Sequence, residues 1–225
     1  MAYNAPHTPF HVPPSNMRSQ GNLPIYNNRL DLIPYYMAAI EAMDFQIGKL
    51  LDNIPEDERK NTIIIFMGDN GTPNQVAQHP YSSSTVKNTL YQDVINMPLF
   101  ISGTSVARTG TDTNLIVSAD LFATIAEITG SSTNEIYDSK SFKTLLTHAA
   151  SIRDYQYSEL VNGTEDEWAI SNGVYKLIVS SVGIAEMYNL VNDPYENSNL
   201  LNGNLSTIEQ NAKLALETEL TNIQN

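Results

Sequence analysis

From Asp31 to Asn53, apolar residues recur at three- and four-residue steps: Ile33, Met37, Ile40, Met43, Ile47 and Leu50. That period predicts a helix with one apolar stripe. Pro34 falls in its first turn and Pro55 just beyond its end, where proline starts or stops a helix. The charged stretch PEDERKN follows, and then an unbroken apolar run from Thr62 to Met67. Such a run predicts a strand covered on both faces, as in a parallel sheet with helices on each side. Residues 68–88 are polar and read as a long loop, and Pro98–Ser102 (PLFIS) reads as a second buried strand. SADLFATIAEITG reads as a helix, with Ser118 as its N-cap and Gly130 as its stop. Residues 1–28, rich in Pro and Asn, read as a short strand followed by a long loop.

The texture changes after about residue 150. YQYSEL, EWAIS, VYKLIV and AEMYNL are short strand-like runs separated by turns. Asn172-Gly173 between two of them is a strong hairpin signal. Ser206 and Glu209 then form a capping box that opens an amphipathic helix, with Ile208, Ala212, Leu216 and Leu220 on one face. The organisation read from the pattern is an α/β part, residues 1–150, followed by a small antiparallel sheet with a C-terminal helix, residues 151–225.

Composition narrows the function classes. With 225 residues, 41% of them apolar, the chain can bury a sizeable core. The absence of cysteine removes disulfides, a Cys nucleophile and thiolate metal sites from this sequence. A net charge of −13 argues against nucleic acid and anionic membranes as partners. An anionic substrate would need a metal or local cations to overcome that field. No apolar run is long enough for a transmembrane helix, and MAYNAPHTPF has neither the basic nor the apolar region of a signal peptide.

Candidate chemistry begins where the first apolar run ends, at Asp69-Asn70-Gly71. Ligands of open α/β sheets sit at the carboxyl ends of the strands. A carboxylate beside an amide oxygen suits a hard cation such as Ca²⁺ or Mg²⁺, and Gly71 lets the backbone turn away sharply. The same triplet is also ordinary turn chemistry after a strand. His7 lies between prolines that restrict the backbone, a setting that suits an anion contact or a general acid. It is equally a surface histidine in a proline-rich loop. Lys87, after the polar loop, carries no signal alone, and His79 carries little.

Taken in order, NAPHTPF, YYMAAIEAMDFQIGKLL, NTIIIFMGDNGT and VKNTLYQDVINMPLFISG resemble the second half of a sulfatase of the alkaline-phosphatase superfamily. SADLFATIAEITG, VYKLI and EMYNLVNDPYENSNL are similar to the elements that follow in that family. The resemblance implies an incomplete alkaline-phosphatase-like α/β/α sandwich followed by the small β-subdomain. It implies hydrolysis of a sulfate ester beside Ca²⁺ (sometimes Mg²⁺), with a formylglycine nucleophile. By position, Asp69 and Asn70 would be metal ligands, His7 would contact the sulfate and protonate the leaving oxygen, and Lys87 would be a second sulfate-binding cation. A sulfated small molecule or sugar would be the substrate, and the compartment periplasmic or secreted.

The family usually reads Lys-Gly-Thr-x-Tyr-Glu, whereas Lys87 is followed here by Asn88, Thr89, Leu90, Tyr91 and Gln92. Asn88 tolerates the backbone angles that Gly permits, so that change is mild; Gln92 and Asp93–Asn96, which replace the family's usual acidic, glycine and arginine pattern before the strand, bear on how Lys87 is positioned. The family's Cys/Ser-x-Pro-x-Arg nucleophile motif, expected upstream of His7, does not occur in the sequence. The 225-residue chain by itself is therefore expected not to turn over sulfate esters. Two rivals stand beside this reading. One is a phosphodiesterase or phosphonate hydrolase of the same superfamily. The other is a non-catalytic module that binds a glycan or a complementary N-terminal chain, or self-associates.

Overall fold

The computed structural model describes residues 1–27, 31–133 and 136–225. Residues 1–27 contain a single 3-10 turn, Ser15–Met17, and none of the strand expected near the N-terminus; residue 28, the last of that stretch, lies outside the described residues. Helix α1 (Ile33–Asp52) forms where the period predicts it, with Pro34 in its first turn and the Asp31 carboxylate accepting from the Ile33 amide at 3.1 Å. Its buried face differs from the predicted stripe. Tyr35 and Ala38 are buried, whereas Met37 and Leu50 are exposed. The N-terminal segment decides this, because Phe10, Tyr35 and Val76 form one apolar cluster there, with Tyr26 and Tyr36 packed against it.

A short charged helix, α2 (Glu56–Arg59), leads into β1 (Ile63–Met67). β1 pairs with β2 (Leu99–Gly103), and the pairing is antiparallel, with Ile65 opposite Ile101. The expected parallel arrangement is thus overturned. Residues 68–98 contain a 3-10 turn, Asn74–Val76, and a four-residue helix, α3 (Gln92–Ile95), and the chain reverses direction through them. A parallel partner is usually reached through a full crossover helix, and residues 68–98 hold only these two short turns of helix. Nor are both faces covered: Phe100 is 65% exposed and Met67 39%. Gly103 is required at the end of β2. Its φ is +117°, and a Cβ there would lie 2.2 Å from the Thr62 carbonyl.

Helix α4 (Asp120–Thr129) ends at Gly130 in the left-handed region, φ +68°, and the Ser131 amide returns to the Ala126 carbonyl at 2.9 Å. Its start is not capped by the Ser118 side chain. Instead the Asp120 carboxylate accepts from the Val117 and Lys140 amides and from Arg153 Nε, at 2.9, 2.7 and 2.8 Å. Burial raises the Asp120 pKa, but Arg153 and the two amides outweigh it and hold the carboxyl below its ordinary value.

The C-terminal half forms the expected antiparallel sheet, ordered β3 (Gln156–Leu160), β4 (Glu167–Ser171), β5 (Tyr175–Ser180) and β6 (Ala185–Asn189). Asn172-Gly173 turns β4 into β5. Gly173 has φ +84°, and the Asn172 Oδ1 accepts from the Val174 and Tyr175 amides. Helix α5 (Thr207–Gln224) opens on the full Ser206/Glu209 capping box. Alternate residues of the strands face opposite ways. Ile170, Leu177 and Met187 meet Leu216 and Leu220 of α5, with Ala212 packed beside them. Ala169, Ile178 and Tyr188 meet Leu90 on the opposite face. Ile208, expected on the packed face of α5, is 71% exposed, because the contact begins only one turn later. The sheet therefore lies between α5 and the segment that carries Lys87. Full burial of each large side chain there contributes about 1.5–3 kcal/mol.

Candidate active site

Asp69 and Asn70 follow β1 directly and are exposed at the rim of a cleft of about 1030 Å³. Lys87 lines the same cleft. Gly71 has a different role from the one its sequence context suggests. It is not in the left-handed region; instead, a Cβ there would lie 2.2 Å from the Asp93 carbonyl oxygen and 2.8 Å from the Val94 Cα. Glycine lets the Asp69-Asn70 loop lie directly against α3, five residues beyond Lys87. Two pieces of the site distant in sequence are joined there, backbone to backbone.

His7 and Lys87, 80 residues apart, are in contact: Lys87 Nζ lies 3.1 Å from His7 Nε2. The His7 Nδ1 lies 2.7 Å from the Thr8 carbonyl oxygen. A carbonyl can only accept, so Nδ1 carries the hydrogen and Nε2 is the nitrogen turned toward Lys87. Phe10, 3% exposed, buries the chain just beyond and anchors the loop. The histidine of the proline-rich segment is thus held beside the Lys87 ammonium.

Lys87 and Asn88 both adopt left-handed backbone, φ +55° and +58°. Each such residue costs roughly 1–3 kcal/mol and persists only where its surroundings over-determine it. The flanks supply that constraint. Val86 and Leu90 are buried. Thr89 Oγ1 donates to the Thr85 carbonyl at 2.9 Å, and Thr85 Oγ1 to the Asp93 carboxylate at 3.2 Å. Asn88 takes the angles that glycine would have taken.

Sequence reasoning missed the groups behind this segment. Lys176 of β5 and Glu196 are each 1% exposed at the side chain and lie 2.7 Å apart, close enough for an ion pair although off the line of a hydrogen bond. Glu196 also accepts from the Gln92 amide at 2.5 Å. Glu186 of β6 accepts from the Tyr91 and Tyr188 hydroxyls at 2.6 and 2.9 Å. Burial, reinforced by Glu186, raises both phenol pKa values. Burial pushes the Lys176 ammonium down, and the neighbouring carboxylates pull it back up. Burial also raises Asp93. One signal was legible: Lys176 shares a strand face with Ile178, so period-2 alternation turns it inward.

A carboxylate and an amide oxygen are the right kind of donor for Ca²⁺ or Mg²⁺, but too few: Ca²⁺ takes six to eight oxygens. Among the described residues, no group of three or more His, Asp or Glu could hold a metal. Asp69 and Asn70 fit as part of a ligand set.

Comparison with known proteins places the chain in a family. The profile of the Sulfatase family matches residues 1–131, and that of the C-terminal part of N-sulphoglucosamine sulphohydrolase matches residues 85–225. The chain belongs to the sulfatase family. It is 27% identical over 213 residues to a sulfatase of Formosa agariphila, covering 81% of this chain and 37% of that protein. It spans 31–37% of the length of the curated relatives it matches.

Solved structures share the fold. One is a protein in complex with its substrate D-glucosamine-2-N,6-O-disulfate, with TM-score 0.69, 23% identity, and coverage of 85% of this chain and 41% of that one. A second, Ps i-CgsB, has TM-score 0.75 at 19% identity and covers 99% and 48%. A third, the phosphonate monoester hydrolase of Agrobacterium radiobacter, has TM-score 0.66 at 17% identity and covers 85% and 40%. The fold is thus α/β and alkaline-phosphatase-like, with the small antiparallel sheet and terminal helix at its C-terminal end.

Proposed function

We propose that this chain supplies one half of the active site of a sulfate-ester hydrolase. The observation that carries the proposal is the convergence of His7 and Lys87, at 3.1 Å, beside a cleft whose rim carries Asp69 and Asn70. Lys87 binds sulfuryl oxygens and stabilises the charge they gain. His7, when doubly protonated, contacts the same group through Nε2–H and gives that proton to the leaving oxygen, keeping the one on Nδ1. Asp69 and Asn70 contribute two oxygens to a Ca²⁺ or Mg²⁺ site, whose ion would polarise the sulfate when bound. The nucleophile, a formylglycine, comes from outside this sequence, which has neither Cys nor Ser-x-Pro-x-Arg.

The substrate class is a sulfated sugar, supported by the disulfated glucosamine bound to a structural neighbour. The setting is periplasmic or secreted, supported by the bacterial relatives; no described helix is long and apolar enough to cross a membrane. The chain divides near residue 150 into a catalytic part, residues 1–150, and a β-subdomain, residues 151–225, a division supported by its two separate sheets. A complementary segment bearing the nucleophile is its functional partner.

The test is turnover. The pure 225-residue chain, with Ca²⁺, releases no nitrophenol from 4-nitrophenyl sulfate; mixing it with a matured segment bearing the nucleophile restores release. Ca²⁺-dependent turnover by the chain alone contradicts the half-site reading. The phosphonate hydrolase among the structural neighbours favours one alternative: a mixture that hydrolyses a phosphonate monoester and spares the sulfate ester would replace the proposed activity with that one.

A further inference from the structure

We propose that Lys176 and Glu196 form a buried positioning pair that fixes Lys87 at the anion subsite from the C-terminal sheet. The lysine ammonium lies 2.7 Å from Glu196, shares its sheet face with Glu186 of β6, and also feels the charge of Asp93 of α3. Each of these carboxylates holds the Lys87 segment at a different point. Asp93 takes the Thr85 hydroxyl, two residues before Lys87. Glu186 takes the Tyr91 hydroxyl, four residues after it. Glu196 takes the Gln92 amide, five residues after it. The tripod therefore encloses the two left-handed residues, Lys87 and Asn88, which need such enclosure to persist.

Lys176 is the common counter-charge. Without it, Glu196 would be an unpaired charge in a buried space, repelled by the part-buried Asp93. The whole device is 1% exposed at both members of the pair, so it touches solvent and substrate little; it acts through Lys87. Glu196 is itself in left-handed backbone, φ +55°, in a turn tied by the Asn197 and Ser198 amides to the Asp193 carboxylate at 3.0 and 2.8 Å. The β-subdomain thereby becomes part of the machinery that places a cation 3.1 Å from His7. The functional meaning rests on Lys87 being an oxyanion contact, but the mechanical coupling does not.

The experiment uses the full chain and the imidazole signals of its four histidines, followed by ¹H–¹⁵N NMR at one pH. Lys87→Met removes the neighbour of His7 and is expected to shift its Nε2 resonance. Glu196→Ala is expected to give the same shift, with no further change when Lys87→Met is added; Glu196→Gln, which keeps an acceptor for the Gln92 amide, is expected to restore the original signal. Should Glu196→Ala not fold, the paired exchange Lys176→Met/Glu196→Leu removes both fully buried charges together, an exchange that proteins often tolerate, and is expected to shift His7 likewise. A His7 signal that stays unchanged in these variants while Lys87→Met moves it overturns the proposal. So does a His7 signal indifferent to Lys87→Met. Sulfate titration of the same samples is read separately. Coupling without sulfate binding would leave the positioning pair standing and remove the sulfatase reading of Lys87.

Discussion

Replacing Gly71 by alanine adds one methyl group, and the surroundings say what it would meet. The new Cβ would sit 2.2 Å from the Asp93 carbonyl oxygen, 2.8 Å from the Val94 Cα and 3.1 Å from the Asp93 carbonyl carbon. All three are backbone atoms, so no side-chain rotation relieves the clash. Either the Asp69-Asn70 loop or α3 must retreat. Overpacking of this kind costs typically 1–3 kcal/mol, and the upper end applies where backbone must move. For a domain of this size each kcal/mol lowers Tm by about 2–4 °C, so a cost of about 3 kcal/mol should lower it by about 6–12 °C. Gly48, inside α1, is the control, because a Cβ there meets nothing within 4 Å. Its replacement by alanine should stabilise the helix by about 0.5–1 kcal/mol, through backbone entropy alone. Thermal unfolding followed by circular dichroism reads both variants. A Gly71→Ala chain as stable as the parent would show that the loop and α3 do not approach as described, and with that the link between the Asp69-Asn70 loop and the Lys87 segment would fail.

Three further outcomes follow from the packing. Asp120→Asn breaks the buried contact with Arg153 and should cost about 3–5 kcal/mol, measured by urea unfolding. Because the folded Asp120 pKa lies below its unfolded value of about 3.8–3.9, the stability it lends is present above that value and is lost as pH falls through the lower folded value; a variant whose stability fell equally at pH 3 and pH 7 would contradict this. Leu216→Ala empties a fully buried position between α5 and the sheet and should cost about 2–5 kcal/mol, whereas the exposed Ile208→Ala should be nearly neutral. Ser206→Ala removes the capping-box acceptor and should cost about 1 kcal/mol, read as a lower Tm with fraying of α5 in hydrogen exchange.

The elements that could be read from sequence are those whose cause is local. The capping box at Ser206 and Glu209, the Asn172-Gly173 turn and the stop at Gly130 each depend on a few adjacent residues, and each occurs as read. Where distant segments decide, the pattern misleads. Ser118 has the right chemistry for a cap, but Asp120 takes the neighbouring amides because Arg153 and Lys140 lie across from it. The apolar run 63–67 suggested a parallel strand, but hydrophobicity is blind to strand direction, and β2 runs the other way. Gly71 was noticed for its turn chemistry, whereas its need for a bare backbone comes from α3, more than twenty residues on. In the site, His7, Asp69 and Asn70 stand out by their local chemistry, whereas Lys87, and the grouping of the four, depend on the ordered resemblance. Their assembly, with His7 against Lys87 and the other two on the same cleft as Lys87, required the fold. The Lys176–Glu196 pair was invisible as a pair, since nothing local to either residue points to the other.

In the proposed half-site, His7 and Lys87 bind the sulfuryl oxygens beside a metal held partly by Asp69 and Asn70, and this assignment makes a direct demand on solution behaviour. It is tested most directly by titrating the chain with inorganic sulfate in the presence and absence of Ca²⁺, and following the His7 imidazole resonance. The account predicts saturable movement of His7 that strengthens with Ca²⁺ and disappears in Lys87→Met. A His7 signal that ignores sulfate at every Ca²⁺ concentration, or that responds identically when Lys87 is gone, would contradict it.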